Sequence, residues 1–164
     1  MLKSFAPVIN FRTQLLVIGS MPGEASLRAG EYYAYKHNQF WKIMFDVFAN
    51  GRAPQDYADK LKTLLDNRVG LWDTLAACER PGSLDSDIRL AKPNDFPALF
   101  NQYPAVKTLL FNGQTSYKYF LKFFGQPPDI TCRRMPSTSP ANAGTPYGQK
   151  LETWRTALQE GLKL

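Results

Sequence analysis

The fold is decided by one stretch of the chain, which reads Leu15-Leu16-Val17-Ile18-Gly19-Ser20-Met21-Pro22-Gly23. Its first half is a short apolar run, and its second half consists of small residues, a methionine and a proline. A continuous apolar run that ends in glycine is typical of a strand that is buried on both faces and feeds a tight turn. We therefore predict a parallel sheet that contains this strand.

Three further apolar runs and five segments with helical spacing follow along the chain. They predict strands over 69–73, 106–111 and 130–135, and helices over 40–48, 56–65, 94–100, 114–124 and 150–162. Residues 76–92 are polar and broken by Pro81-Gly82, which predicts a loop with some helix. This alternation predicts an α/β fold, a three-layer α/β/α sandwich with a central, mainly parallel four-stranded sheet, in one domain over residues 1–164.

The charge of the chain is unevenly distributed. The net charge is +6; residues 1–100 carry 12 Lys or Arg and 11 Asp or Glu, whereas residues 101–164 carry 8 and 3. Such an asymmetry favours a polyanionic partner on the face that the C-terminal part builds.

Several classes of protein are disfavoured by composition. His37 is the only histidine, and the two cysteines, Cys78 and Cys132, are far apart, so we expect neither a metal site nor a cofactor. No apolar run approaches the roughly 18 residues of a membrane span, and the first residues lack the apolar core of a signal peptide. We therefore expect a cytoplasmic protein with no membrane partner.

The loops that follow the four predicted strands are expected to meet in one cleft, because ligands of parallel sheets bind beyond the carboxyl ends of the strands. The loop that starts at Gly19 is similar to an anion-binding turn, although an ordinary strand-to-helix turn has the same composition. It has neither the lysine of a Walker loop nor the three-glycine spacing of a dinucleotide site.

Asn38 is the residue most suited to chemistry, since it follows an aromatic segment and precedes the helix at 40–48. A neutral amide can hold a water molecule and stabilise a charge-separated transition state without acting as a strong base. The alternative is that Asn38 only caps the helix and that the nearby aromatic residues are core. The catalytic and the capping interpretations of Asn38 are compatible if its side chain faces the cleft.

Two other strand ends carry polar residues. Asp73 could accept hydrogen bonds from the edge of a base, or it could cap the next helix. The loop 136–144 is small, polar and rich in proline, with Arg133 and Arg134 at its base. That composition suits contact with a DNA backbone, and it is also common in plain surface loops.

The order and spacing of five segments resemble the uracil-DNA glycosylase superfamily, and most closely its hypoxanthine-DNA glycosylase (deoxyinosine glycosylase) branch. These segments are 19–27, 32–34, 38–41, 71–73 and 135–143. The similarity spans nearly the whole chain, and the combination is specific although no single segment is.

The resemblance implies roles for individual residues. In the mismatch-specific uracil/thymine branch the first loop carries a catalytic Asn; Met21 stands there in this chain, which leaves Asn38 as the expected catalytic residue. Tyr33 matches an aromatic residue that stacks on the flipped base. The implied base-binding residues are Ser20, Met21, Pro22, Gly23, Tyr33 and Asp73. The implied DNA-binding residues, from the motif that inserts into the duplex, are Arg134, Pro136, Ser137, Thr138, Ser139, Pro140, Ala141 and Asn142.

The function that the resemblance implies is DNA repair. We expect a monomeric glycosylase that flips deaminated bases out of double-stranded DNA and hydrolyses the N-glycosidic bond by Asn-assisted attack of water. Hypoxanthine is the chief expected base. The uracil branch has a His in the second motif, where this chain has Met135, and relatives often carry His where Tyr35 stands, so uracil is expected to be a weaker substrate. The alternative is a non-catalytic nucleic-acid-binding domain on the same scaffold.

Overall fold

A computed structural model describes all residues from Met1 to Leu164, which form seven strands and six α-helices. The strands are β1 (Leu2–Lys3), β2 (Leu15–Gly19), β3 (Val69–Asp73), β4 (Leu75–Glu79), β5 (Arg89–Pro93), β6 (Thr108–Asn112) and β7 (Thr131–Met135). The helices are α1 (Glu24–Ala29), α2 (Phe40–Phe48), α3 (Tyr57–Asp66), α4 (Phe96–Gln102), α5 (Gln114–Phe124) and α6 (Tyr147–Leu162).

Four strands form a fully parallel central sheet in the order β3-β2-β6-β7. The registers place Gly19 beside Asp73 and Asn112 beside Met135, so the polar carboxyl ends of the strands lie together at one end of the sheet. This arrangement confirms the predicted α/β class and the four-stranded parallel sheet.

Both faces of the sheet are covered by helices, which explains why β2 is apolar throughout. Leu15 and Val17 belong to the core that the sheet forms with α2, α3 and α6. Leu16 and Ile18 belong to the core on the other face, with α4 and α5. Burial of each such side chain contributes roughly 2 kcal/mol. The three-layer sandwich is therefore confirmed.

The prediction of a loop with some helix over 76–92 is wrong. β4 and β5 pair antiparallel, β1 pairs with the other edge of β4, and a short 3-10 helix, Asp85–Asp87, lies in the connection. The ladder contains register shifts, and several of its side chains are solvent-exposed, so the period-two pattern of a strand is missing from the sequence. Pro81-Gly82 falls in the connection and interrupts neither strand.

Other boundaries agree to within a few residues. Helices α2 and α5 begin and end as predicted, whereas α6 begins at Tyr147 and not at residue 150. Pro146 precedes α6 and Gly148 lies in its first turn, and both are weak helix signals. None of the helices is both long and apolar enough to cross a membrane.

Candidate active site

A cavity of about 590 Å³ opens where β2, β3 and β6 end. Parallel sheets bind their ligands beyond these carboxyl ends of the strands. Twelve residues predicted from the sequence line the cavity: Ser20, Met21, Pro22, Gly23, Tyr33, Asn38, Asp73, Ser137, Thr138, Ser139, Pro140 and Ala141. Arg134, Pro136 and Asn142 are not among its lining residues.

The side-chain oxygen of Asn38 accepts two hydrogen bonds. One comes from the backbone N–H of Phe40, at 2.9 Å, and the other from the hydroxyl of Thr138, at 2.7 Å. A backbone N–H can only donate, so the bond from Phe40 fixes which end of the amide is the oxygen. The Nδ2 group of Asn38 is left with no acceptor in the protein. Asn38 thus supports the start of α2 and presents two N–H donors at the cavity.

Thr138 holds Asn38 in place from the other side of the cleft. Its side chain is fully buried, and its hydroxyl accepts a 2.9 Å hydrogen bond from Asn112 Nδ2 while donating to Asn38. The backbone N–H of Thr138 donates to Asn112 Oδ1 at 2.9 Å, and its carbonyl accepts from Gln39 N–H at 3.0 Å. These bonds join β6, the loop 136–144 and α2 around the catalytic candidate.

Asn112 lies in one of the strand-end loops that were expected to meet at the cleft, but the sequence assigned it no role in the site. Both ends of its amide are engaged by Thr138, so it fixes the loop 136–144 to the end of β6. The available signal was an amide at the carboxyl end of a buried strand, directly before Gly113. Nothing local in the sequence shows that its partner lies 26 residues further along the chain.

Asp73 forms part of the cavity lining although only 4% of its surface is exposed. Its Oδ1 atom packs over Gly19, where a methyl group would overlap it. Its Oδ2 atom is buried and has no hydrogen-bond partner. Burial, followed by the charge of the Asp85 carboxylate, raises the pKa of Asp73 to about 7, and the charge of Arg80 opposes this rise. Near neutral pH this carboxyl group therefore exchanges between its neutral and ionised forms.

Tyr33 forms an aromatic wall of the cavity in a strained backbone conformation. Its φ of 55° lies in the left-handed region, which non-glycine residues rarely adopt and which is often retained at functional sites. Its ring stacks on Phe40 with centroids 4.0 Å apart and an interplanar angle of 22°. Burial, followed by the charge of Asp73, raises the pKa of Tyr33, so its phenol stays protonated. The phenol oxygen has no partner in the protein.

The first loop offers backbone donors. The Met21 side chain packs in a small hydrophobic cluster with Leu75, Cys78 and Ile88. The backbone N–H groups of Met21 and Gly23 donate to no protein acceptor. The loop therefore presents two free N–H groups, while the sulfur of Met21 serves packing.

Arg80 anchors the first loop to the β4–β5 hairpin, a role that could not be predicted from the sequence. Only 7% of the surface of Arg80 is exposed, and its guanidinium donates through Nη2 to Pro22 O at 2.6 Å and through Nε to Gly82 O. Its Nη1 atom is buried without a partner. The arginine thus brings a fixed positive charge beneath the loop and close to Asp73.

Two polar contacts add to this anchor. The N–H of Glu24 donates to Ser83 Oγ at 2.9 Å, and the hydroxyl of Ser20 donates to Asp85 Oδ1 at 2.7 Å. Ser83 and Asp85 line the cavity and were also missed, because the hairpin that carries them was predicted as a loop. The hairpin therefore completes one wall of the site.

The remaining predicted residues lie around the cleft and not in it. Arg134 is exposed on β7, which is an edge strand of the sheet. Pro136 accepts a 3.0 Å hydrogen bond from the Trp154 indole, which holds the loop against α6. Asn142 donates to Ser137 O at 3.1 Å and lines a second, smaller cavity. No group of three His, Cys, Asp or Glu side chains is arranged as metal ligands.

Three kinds of comparison relate the chain to known proteins. Residues 6–163 match the uracil DNA glycosylase superfamily. A hypoxanthine DNA glycosylase of Methanosarcina acetivorans is 34% identical over 142 residues, which cover 85% of this chain and 87% of that protein. The hypoxanthine DNA glycosylase of Methanosarcina barkeri is 35% identical over 117 residues, covering 71% and 74%. The solution NMR structure of a Methanosarcina acetivorans protein classed with the uracil DNA glycosylases superposes with a TM-score of 0.81 at 32% identity, covering 99% of this chain and 98% of that one.

Proposed function

The chain belongs to the uracil-DNA glycosylase superfamily and is a DNA glycosylase that acts on deaminated bases, and we propose that the base it chiefly removes is hypoxanthine. Both curated relatives are named hypoxanthine DNA glycosylase, and the chain covers most of each. Because these relatives are named as enzymes, we reject the alternative of a non-catalytic nucleic-acid-binding domain.

The observation that carries the preference for deaminated bases is the Asp73 carboxyl group, which lines the cavity and whose buried Oδ2 atom has no hydrogen-bond partner. Deamination turns a ring nitrogen that accepts hydrogen bonds into an N–H donor, at N1 of hypoxanthine and at N3 of uracil. An ionised carboxylate accepts from that N–H, whereas it faces a lone pair at N1 of adenine. Asp73 can therefore separate a deaminated base from its parent base, and a cavity of about 590 Å³ has room for a purine.

Cleavage of the glycosidic bond leaves positive charge on the sugar and negative charge on the departing base. The free N–H groups of Met21 and Gly23 are suited to stabilise the anionic base. Asn38 Nδ2 can donate to one lone pair of a water molecule and leave the other lone pair free to attack the sugar. Because a sugar cation is a strong electrophile, a positioned water suffices and no strong base is required. The proton that the water loses as it bonds to the sugar neutralises the departing base anion.

Extrusion of the lesion nucleotide costs a few kcal/mol and is easiest where pairing is already poor. Tyr33 offers an aromatic surface for the extruded base, and such stacking contributes roughly 1–3 kcal/mol. Ser137, Ser139, Pro140 and Ala141 remain the residues we assign to DNA contact, with Arg134, Pro136 and Asn142 flanking them. We reassign the Thr138 side chain to the positioning of Asn38, since it is fully buried.

The setting of the reaction is part of the proposal. We place the activity in one domain over residues 1–164, acting as a monomer on double-stranded DNA, because flipping a single base needs one cleft. The two cysteines are free thiols, which fits the reducing cytoplasm.

The test is base release from defined duplexes. The protein is incubated with otherwise identical DNA containing deoxyinosine, deoxyuridine or a G·T mismatch, and abasic sites are converted to strand breaks and counted. We expect the fastest release from deoxyinosine and a slower release from deoxyuridine. Equal or faster release of uracil would refute hypoxanthine as the chief base, and no release from any duplex would refute the activity.

A further inference from the structure

Lys150 is a buried cation that has no anionic partner. It lies in the first turn of α6, and only 2% of its surface is exposed. Its ammonium donates to Gln39 Oε1 at 2.9 Å and makes a long contact of 3.5 Å to Asn142 O. Burial lowers the pKa of Lys150, and no carboxylate pairs with it. Buried charges without a counter-charge are costly, so such a group usually has a ligand or a function.

A second cavity of about 320 Å³ has Lys150 in its lining. Its lining includes His37, Ser139, Thr145 and Lys150, and it contains no Asp or Glu. The nearby Tyr147 hydroxyl, also in the lining, is engaged with Asp46 Oδ2. A cavity with an ammonium, an imidazole and hydroxyl groups, and without acids, is suited to a tetrahedral oxyanion.

The position of this cavity links it to the base cleft. Ser139 and Pro140 line both cavities, so the two openings share one wall. Gln39, which accepts from Lys150, directly follows Asn38 and donates its backbone N–H to Thr138 O. A DNA strand whose extruded nucleotide enters the cleft would therefore pass this opening within a nucleotide or two.

We propose that Lys150 binds a backbone phosphodiester of the substrate strand in this second cavity, which we call the Lys150 cavity. The proposal rests on the proposed function in one respect, that the ligand is DNA. The phosphodiester supplies the counter-charge that the protein lacks at Lys150. Contacts of this kind set the register of DNA on a protein and carry no sequence preference.

The first experiment measures how DNA binding depends on salt. Lys150→Met keeps the length of the side chain and removes its charge. Lys163→Met removes the same charge from the other end of α6, about 20 Å away along the helix. Each phosphate contact contributes about 0.9 to the slope of log K against log salt. Between 50 and 200 mM salt, we expect the wild type to lose roughly 3.5-fold more affinity than Lys150→Met, while Lys163→Met behaves as the wild type.

The second experiment locates the phosphate by comparing the wild type with Lys150→Met, and Lys150→Gln replaces the methionine variant if the latter folds poorly. Duplexes carry one neutral methylphosphonate linkage at successive positions around deoxyinosine. We expect the affinity of the wild type to fall at each contacted phosphate, and at one of these positions we expect Lys150→Met to show no further loss. Inorganic phosphate, added at constant ionic strength, should compete with DNA for the wild type and not for Lys150→Met.

Three outcomes overturn the proposal. An unchanged salt slope in a folded Lys150→Met protein assigns the ammonium to holding Gln39 and Asn142. A methylphosphonate scan without a position that depends on Lys150 does the same. Competition by free phosphate without any such position assigns the cavity to the free ion. Binding is measured apart from base release, so each result stands whether or not hypoxanthine is the base removed.

Discussion

Thr138 donates a 2.7 Å hydrogen bond to Asn38 Oδ1 from a position one hundred residues further along the chain. The same hydroxyl accepts from Asn112, so the three side chains form one directed chain of hydrogen bonds. Such chains polarise their members and hold them in one geometry. We therefore expect Thr138 to act through Asn38 and not through a direct contact with the substrate.

Thr138→Val should lower kcat for hypoxanthine release roughly tenfold, the equivalent of one hydrogen bond of about 1.4 kcal/mol. The substitution keeps the shape and removes the donor, while KM should change little because the base-binding groups are untouched. Single-turnover and steady-state rates on deoxyinosine duplex measure the two effects. Thr138→Ser keeps the hydroxyl group and should therefore retain the wild-type kcat. Thr153→Val, on the exposed face of α6, is the control, and equal rates for both valine variants would contradict the positioning role.

Asn38→Asp separates the two halves of the amide. An ionised aspartate can still accept from Phe40 N–H and Thr138, but it replaces the two Nδ2 donors with an acceptor. We expect Asn38→Asp and Asn38→Ala both to lose at least about 100-fold in kcat, a usual contribution of a positioned catalytic group. If Asn38→Asp keeps most of the wild-type rate while Asn38→Ala does not, the oxygen and not the Nδ2 group performs the catalytic function.

The sequence indicated those parts of the structure that local periodicity determines. β2 is apolar on both faces and α2 repeats apolar residues every three or four positions, so both could be predicted to the residue. The β4–β5 hairpin could not, because its register shifts remove the alternation by which a strand is recognised. Its contribution to the site was lost with it, in particular the contact of Arg80 with Pro22.

The site itself was only partly predictable. The strand-end rule brought Gly19, Asp73 and the loop 136–144 to one cleft, and the resemblance supplied candidate roles, including that of Asn38. The orientation of the Asn38 amide depends on Thr138, and the raised pKa of Asp73 depends on its burial near Asp85 and Arg80. Each of these is a property of distant residues that meet only in the folded chain.

Asp73 should impose a pH dependence on catalysis. If the ionised carboxylate accepts from N1–H of hypoxanthine, kcat/KM should rise with pH and level off above about 7, the pKa of this group. Asp73→Asn should flatten this limb and reduce kcat/KM at pH 8, because the amide loses the negative charge. Rates of hypoxanthine release between pH 5 and 9 measure both effects. If Asp73→Asn has the same dependence of kcat/KM on pH as the wild type, another group is responsible for the titration.

The same group should make the protein less stable as the pH rises. The pKa of Asp73 is raised from 3.8 to about 7 on folding, so between these values the folded state binds more protons than the unfolded state. The resulting stabilisation is full below about pH 4 and is lost as the pH approaches 7, up to about 4 kcal/mol in all. Denaturant unfolding at pH 5 and pH 8 should show a smaller loss for Asp73→Asn than for the wild type. An equal loss in both proteins would contradict the shifted pKa.

Gly19→Ala tests whether the position of Asp73 matters for catalysis. The new methyl group would overlap Asp73 Oδ1 and lie 3.3 Å from the Tyr33 phenol oxygen, so the carboxyl group must move. A displacement of about 1 Å at a catalytic site can cost roughly 100-fold in rate, and we expect a loss of that order in kcat/KM. Gly148→Ala is the matched control, since no atom lies within 4 Å of its Cβ position, and alanine in α6 should add about 0.5–1 kcal/mol of stability with no change in rate.

The double variant Gly19→Ala with Asp73→Asn shows whether Gly19 acts through Asp73. If the methyl group harms catalysis by moving the carboxylate, it should cost much less once the carboxylate is gone, because two changes to one contact are not additive. The four kcat/KM values of this cycle at pH 8 give the coupling directly. Fully additive losses would mean that Gly19→Ala disturbs Tyr33 or the first loop and leaves the base contact of Asp73 intact.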